Sequence, residues 1–180
     1  MASNADNGVR GSGSRWRAVG WGLAVALLLL PFVAMKVTSE VNWSASDFIF
    51  AAVMIGLVGG IFEVTVRMSP DPAYRAGVAA ALAAAIFIIW INGAVGMIGS
   101  EGNPYNLFFG GVILLAIVGA VAVRLRPAGM ALTMTVAGAA HVAVALGGMA
   151  VDIRGSIFSA AFALPWLLSA WLFRKAARQG

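Results

Sequence analysis

Six long apolar runs, each broken only by isolated polar positions, alternate with short polar connections along this chain. They fall at Arg17–Met35, Asp47–Val66, Ala73–Ile98, Leu107–Val123, Ala128–Met149 and Ile157–Phe173. A helix needs about 20 mostly apolar residues to cross a bilayer. The fourth and sixth runs are near that lower limit, and the third is long enough to tilt or to project beyond the hydrocarbon. The pattern predicts an all-α protein: a polytopic integral membrane helical bundle with six transmembrane helices. Residues 1–14, MASNADNGVRGSGS, are polar and glycine-rich and read as a disordered tail. Residues 15–180 read as a single transmembrane domain. The first run has the basic start and apolar middle of a signal peptide. KVTSEVNW, which follows it, offers no convincing small-residue cleavage site, so the run reads as a retained helix.

Charge gives the runs a direction. With the amino terminus inside, the cytoplasmic side receives Arg10, Arg15, Arg17, Arg67, Arg75, Arg124, Arg126, Arg174, Lys175 and Arg178, and the other side only Lys36 and Arg154. The excess of basic residues in cytoplasmic connections then predicts that both termini are cytoplasmic. Glu40, Asp47, Glu101 and Asp152 fall on or near the outer side. The connections MSPDP and LRPAG are short and carry prolines that close one helix and open the next. Ser44 or Ser46, ahead of Asp47, is placed to cap the second helix, and Trp43 to anchor at the interface.

Composition narrows the class. The chain is 61% hydrophobic and 11% charged, against about 25% charged in soluble domains. Its mean hydropathy is +0.92. Six tryptophans and 22 glycines fit a lipid setting. The net charge of +5 is dispersed between apolar runs, so it implies contact with membrane lipids and no nucleic-acid surface. The absence of cysteine excludes disulfides, thiolate catalysis and Cys-ligated metals. One histidine cannot form a zinc site or a bis-histidine haem site, and no nucleotide-binding, hydrolase or carboxylate-rich metal motif occurs. No cofactor is expected, and the connections are too small for a soluble catalytic domain.

The interest therefore lies in polar residues inside the apolar runs. Gly56, Gly59, Gly60 and Glu63 share one helical face, with Gly56 and Gly60 forming a G-x-x-x-G pair. Glu63 precedes Arg67 by four residues, so an i,i+4 ion pair at the inner end is geometrically available. Glu63 reads either as a structural, inward-facing ion pair or as a carboxylate handling protons or cations, because a charge in lipid requires a partner or water. Asn92 lies about 17 residues beyond Arg75, roughly 25 Å along a helix and in the outer leaflet. Asn92, Gly96 and Gly99 would share a face if the helix continues, with Asn92 bonding across to another helix near His141. SEGNPYN then reads as an ordered outer turn: Glu101 at the aqueous face, Gly102 at positive φ, Asn103 held out of helical geometry by Pro104, and Asn106 capping the fourth helix. His141, in the outer half of the fifth run among small residues, reads either as a packing histidine or as part of a proton relay or cavity wall. Pro31 and Pro165 are expected to kink the first and sixth helices.

The segments VNWSASDFIFAA, WINGAVGMIGSEGNPYNLFFGG, RLRPAGMA and LLSAWLFRKAA carry a resemblance. They resemble a group of small, uncharacterised bacterial inner-membrane proteins that share an Asn-x-Ala-Val-Gly-x-Ile-Gly-Ser-Glu-x-Asn-Pro-x-Asn core, here Asn92 to Asn106 with Gly93 in the first variable slot. The resemblance implies a compact helical protein of the bacterial cytoplasmic membrane and brings no activity or site residue with it. Two functional classes stay open, with translocation the first reading and an accessory subunit the alternative. Glu63, Asn92, His141 and Glu101 in a bundle without soluble machinery suggest translocation of a small ion or solute. The many small-residue faces suggest an accessory or assembly subunit without catalysis, meeting a membrane-protein partner or a second copy of itself.

Overall fold

The computed structural model describes residues 6–179, with side chains from residue 17 onward. Its helices are α1 (Asp6–Val37), α2 (Ala45–Met68), α3 (Pro72–Ala94), α4 (Leu107–Ala122), α5 (Pro127–Gly147), α6 (Ile153–Ala161) and α7 (Leu164–Gln179). Short 3₁₀ turns precede α4 at Pro104–Asn106 and follow α5 at Gly148–Ala150. No strand occurs among the described residues. Six helical spans are long and apolar enough to cross a membrane, with α6 and α7 together making the sixth. The chain is a multi-pass, all-α membrane protein. Residues 1–5 of the expected polar tail lie outside the described residues, and from Asp6 the backbone is helical, forming the first turns of α1.

The chain divides into two compact units, Met1–Ile61 and Phe62–Gly180. In the first, the Trp21 ring of α1 lies against Gly59 of α2, with Cη2 2.7 Å from where a Cβ would stand. Glycine is required at that contact, since any side chain would displace the indole. Pro31 sits inside α1, which runs on as one helix to Val37. The start of α2 is a reciprocal cap: the Ser44 amide donates to Asp47 Oδ2 at 2.7 Å, and the Asp47 amide donates to Ser44 Oγ at 3.4 Å. Trp43 packs edge-on against Phe48, with centroids 5.2 Å apart.

In the second unit α7 packs against both α3 and α5, α4 packs on α5, and α6 packs on α5. The core joins Ile88 of α3, Phe109 of α4, Met134 and Ala137 of α5, and Trp166 and Phe173 of α7. Small residues let the helices approach closely. The Phe173 ring lies 3.2 Å from the Cβ position of Gly77, and Ser169 Oγ donates to the Gly77 carbonyl at 2.7 Å. This is packing by contact and interhelical hydrogen bond, the mode available where lipid removes any hydrophobic preference for a helix neighbour.

The basic side is tied by carbonyl capping. Asp71 caps α3, accepting from the Ala73 amide at 2.7 Å, with Pro72 opening the helix. Arg75 reaches back to the end of α2, donating from Nε to the Ser69 carbonyl and from Nη2 to the Val66 carbonyl, at 2.7 and 2.8 Å. Beyond α4, Arg124 and Leu125 both adopt positive φ, +52° and +58°. That strained turn is held because the Leu125 amide donates to the Ala120 carbonyl, and the Leu125 carbonyl accepts from Tyr74 Oη at 2.8 Å.

Two element boundaries differ from the sequence pattern. The third helix ends at Ala94 rather than Ile98, because Gly96 takes φ +77° and turns the chain. The sixth run begins earlier, at Ile153, and continues to Gln179, but breaks at Phe162–Ala163. Pro165 therefore does not kink a continuous helix. It lies in the first turn of α7, where its missing N–H is harmless to the helix it opens.

Candidate functional site

The segment between α3 and α4 is irregular backbone at the membrane edge, where every amide and carbonyl must find a protein partner. Side chains supply them. Asn106, 7% exposed, accepts through Oδ1 from the amides of Met97 at 3.2 Å and Ile98 at 2.9 Å. Its Nδ2 donates to the carbonyls of Ser100 at 2.8 Å and Ile98 at 3.3 Å. Asn103 Oδ1 accepts from the Tyr105 amide at 3.0 Å, and its Nδ2 donates to the Ile98 carbonyl at 3.1 Å. Two groups come from the far end of the sequence. Ser159 Oγ of α6 donates to the Met97 carbonyl at 2.8 Å, and Asp152 Oδ2 accepts from the Gly99 amide at 3.1 Å. Tyr105 Oη completes the unit, donating to the Val144 carbonyl of α5 at 2.8 Å.

Asp152 also caps α6, its Oδ1 accepting from the Gly155 amide at 2.9 Å. The Gly155 and Gly99 amides stabilise its charged form and, with a smaller contribution from Arg154, hold its carboxyl below the ordinary aspartate value of 3.8.

Several sequence expectations change here. Asn92 does not bond across to a neighbouring helix: its Oδ1 accepts from the Met97 amide at 3.2 Å, closing the end of its own helix. The bond toward His141 expected of it is made instead by Ser159. Asn92, Gly96 and Gly99 share no helical face, because the helix has ended and both glycines hold positive φ. Gly102, expected at positive φ, does not adopt it. Asn106 stands at the start of α4 but makes no side-chain cap bond there, having turned its amide to the 97–100 backbone. Glu101 is exposed.

Glu63 and Arg67 meet near the carboxyl-terminal end of α2. Arg67 Nη2 lies 3.0 Å and Nε 3.1 Å from Glu63 Oε1, with the glutamate side chain 19% exposed and the arginine 68%. Exposed pairs of this kind contribute about 0–1 kcal/mol. The pair is remote in sequence from the 92–106 turn.

His141 is fully buried in α5. Its Nε2 lies 2.9 Å from the Ser159 carbonyl, and its ring packs beside Phe109 with centroids 5.1 Å apart. A carbonyl can only accept, so Nε2 carries the proton and Nδ1 is an acceptor in the neutral ring. Thus Ser159 links His141 to the α3–α4 turn: its carbonyl receives the imidazole, and its hydroxyl holds the Met97 carbonyl.

Sequence reasoning passed over Asp152 as one of several outer acids, and gave Ser159, Ser169, Tyr74 and Tyr105 no role. Each acts on a backbone atom between 39 and 92 positions away. The position of Asp152 immediately before a helix was the one available local signal. No group of three or more His, Asp or Glu side chains suited to a metal occurs among the described residues. Comparison with known protein families, curated proteins and solved structures finds no match to this chain.

Proposed function

We propose that this protein is an accessory or assembly subunit of a complex in the bacterial inner membrane, without catalysis of its own. The observation that carries the reading is the fate of its polar side chains. Asn92, Asn103, Asn106, Asp152, Ser159 and Ser169 each bond to backbone groups, and Glu63 is bound by Arg67. These are the groups a passing ion would need, and they are committed to holding helices and a turn in place. The open small-residue face of α2 supports the same reading: nothing lies within 4 Å of the Cβ positions of Gly56 or Gly60. Such a face admits a second helix at close range.

Translocation of a small ion or solute is the second reading, favoured by one observation, the burial of His141 with Nδ1 lacking a hydrogen-bond partner. Proteoliposome flux and site-directed photocrosslinking separate the two. The expected result is ion and proton flux equal to that of empty liposomes at several pH values, with crosslinkers at positions 56 and 60 trapping a protein while one at the exposed Leu114 of α4 traps only lipid. Flux above background that is lost in a folded His141→Ala variant overturns the proposal and supports translocation.

A further inference from the structure

Three elements bring basic residues to one end of the second unit. Tyr74, at the start of α3, donates from Oη to the Leu125 carbonyl of the α4–α5 turn at 2.8 Å, and its ring packs edge-on against Phe173 of α7 with centroids 5.1 Å apart. The carboxylates near this end are already engaged, Glu63 by Arg67 and Asp71 by the first amides of α3. Arg75 is committed to the Ser69 and Val66 carbonyls. Arg124, Arg126, Arg174, Lys175 and Arg178 remain. All are exposed, and among the described residues none has a carboxylate partner.

Arg174 is the unusual member of this group. On α5 the Cβ position of Gly138 lies 3.0 Å from the Leu167 side chain and 3.4 Å from Trp166 Cβ. The two helices run antiparallel, so Arg174, about two turns beyond Leu167, stands level with Ala131. Its Nη2 nevertheless donates to Thr135 Oγ1 at 3.0 Å, one turn deeper into the α5 span. Helical side chains lean toward their own amino terminus, and on α7 that direction leads away from the basic end. An arginine extending to the interface would point the other way. The Thr135 hydroxyl spends its proton on the Ala131 carbonyl at 2.8 Å, so its oxygen serves as the acceptor. A neutral hydroxyl thus orients the guanidinium and leaves its charge unmatched. Leu132, Val136 and Trp171, on the same turns, are exposed. A charge held on such a surface requires an anion or water.

We propose that the α5–α7 seam at this end binds one anionic phospholipid, its phosphate received by Arg174 with Arg178 one turn further on. A guanidinium meets phosphate oxygens through paired N–H bonds. The occupant is a lipid rather than a free anion because Arg174 is directed into the span, where Leu132 and Val136 offer a surface to an acyl chain. The site goes beyond the accessory-subunit reading and holds equally for a translocator.

The test is native mass spectrometry of the full chain, delipidated in detergent and titrated separately with phosphatidylglycerol, phosphatidylcholine and inorganic phosphate. The wild type is expected to bind its first phosphatidylglycerol about tenfold or more tightly than phosphatidylcholine, the factor that one hydrogen bond to a charged group supplies. Arg174→Gln is expected to lose most of that preference. Arg154→Gln, which removes the same charge at the opposite end, is expected to keep it. Wild-type protein in phosphatidylcholine vesicles with a minor fraction of photoreactive phosphatidylglycerol decides even where Arg174→Gln does not fold, with crosslinks expected to concentrate in residues 128–139 and 167–178. Equal affinity for the two lipids overturns the proposal. So does an undiminished preference in folded Arg174→Gln, an equal loss in Arg154→Gln, or crosslinks spread evenly along the chain. Displacement of phosphatidylglycerol by inorganic phosphate also overturns it, because the ligand is then a free anion.

Discussion

Asp152 joins two parts of the chain through one carboxylate, capping α6 and holding the Gly99 amide of the α3–α4 turn. Both bonds favour the ionised form, so its folded-state pKa lies below the unfolded value near 3.8. A group shifted in this direction contributes stability that is present above the unfolded value and lost as pH falls through the folded one. The Asp152→Asn variant is therefore expected to melt below the wild type at neutral pH, with the gap closing once pH drops below 3.8. Thermal melts of both proteins in the same detergent across that range check it, and a gap independent of pH would show that charge is not what Asp152 contributes. The neighbouring asparagines teach a related lesson. Asn103 serves its own turn, which the Asn-Pro step made legible. Asn106 has an equally ordinary capping position in the sequence, yet its amide serves residues 97–100. A side chain that can satisfy either its own helix or a distant backbone carries no local mark of which it does.

At the scale of elements, the existence of six spans was legible because length and apolarity are what lipid selects. Their ends were less so. Val95, Met97 and Ile98 continue the apolar run past the end of α3, and the turn is imposed by Gly96. Likewise Phe162 and Ala163 are as apolar as their neighbours, so the break between α6 and α7 leaves no trace in hydropathy. The i,i+4 spacing of Glu63 and Arg67 was readable, since that contact lies within a single helix. Gly96 supplies a direct check on the turn. A Cβ there would stand 2.5 Å from the Ser100 carbonyl carbon and oxygen, on a backbone at positive φ, whereas at Gly102 nothing lies within 4 Å. Gly96→Ala should cost about 1–3 kcal/mol, and Gly102→Ala should stay within about 0.5 kcal/mol. Denaturation of the two variants beside the wild type reads the difference, and equal losses would contradict the turn geometry.

At the scale of the molecule, the uneven distribution of basic side chains carries the orientation. Labelling of single cysteines introduced at positions 102, 153 and 178 is expected to find the first two outside and the last inside, and an outward position 178 would reverse the assignment. Orientation and sequence order together constrain how the protein is made. The amino-terminal spans leave the ribosome first, so α5 reaches lipid ahead of the α6–α7 span. That last span is a poor solitary occupant of a bilayer, because it is broken at Phe162–Ala163 and its Ser159 carbonyl takes a second donor from α5. His141 is equally poorly placed until α6 arrives. Each is the other's shelter from hydrocarbon, so the two final spans have reason to leave the insertion machinery as a joined hairpin. A nascent chain halted between them would then wait beside the translocon with its histidine still in a wet or proteinaceous seam.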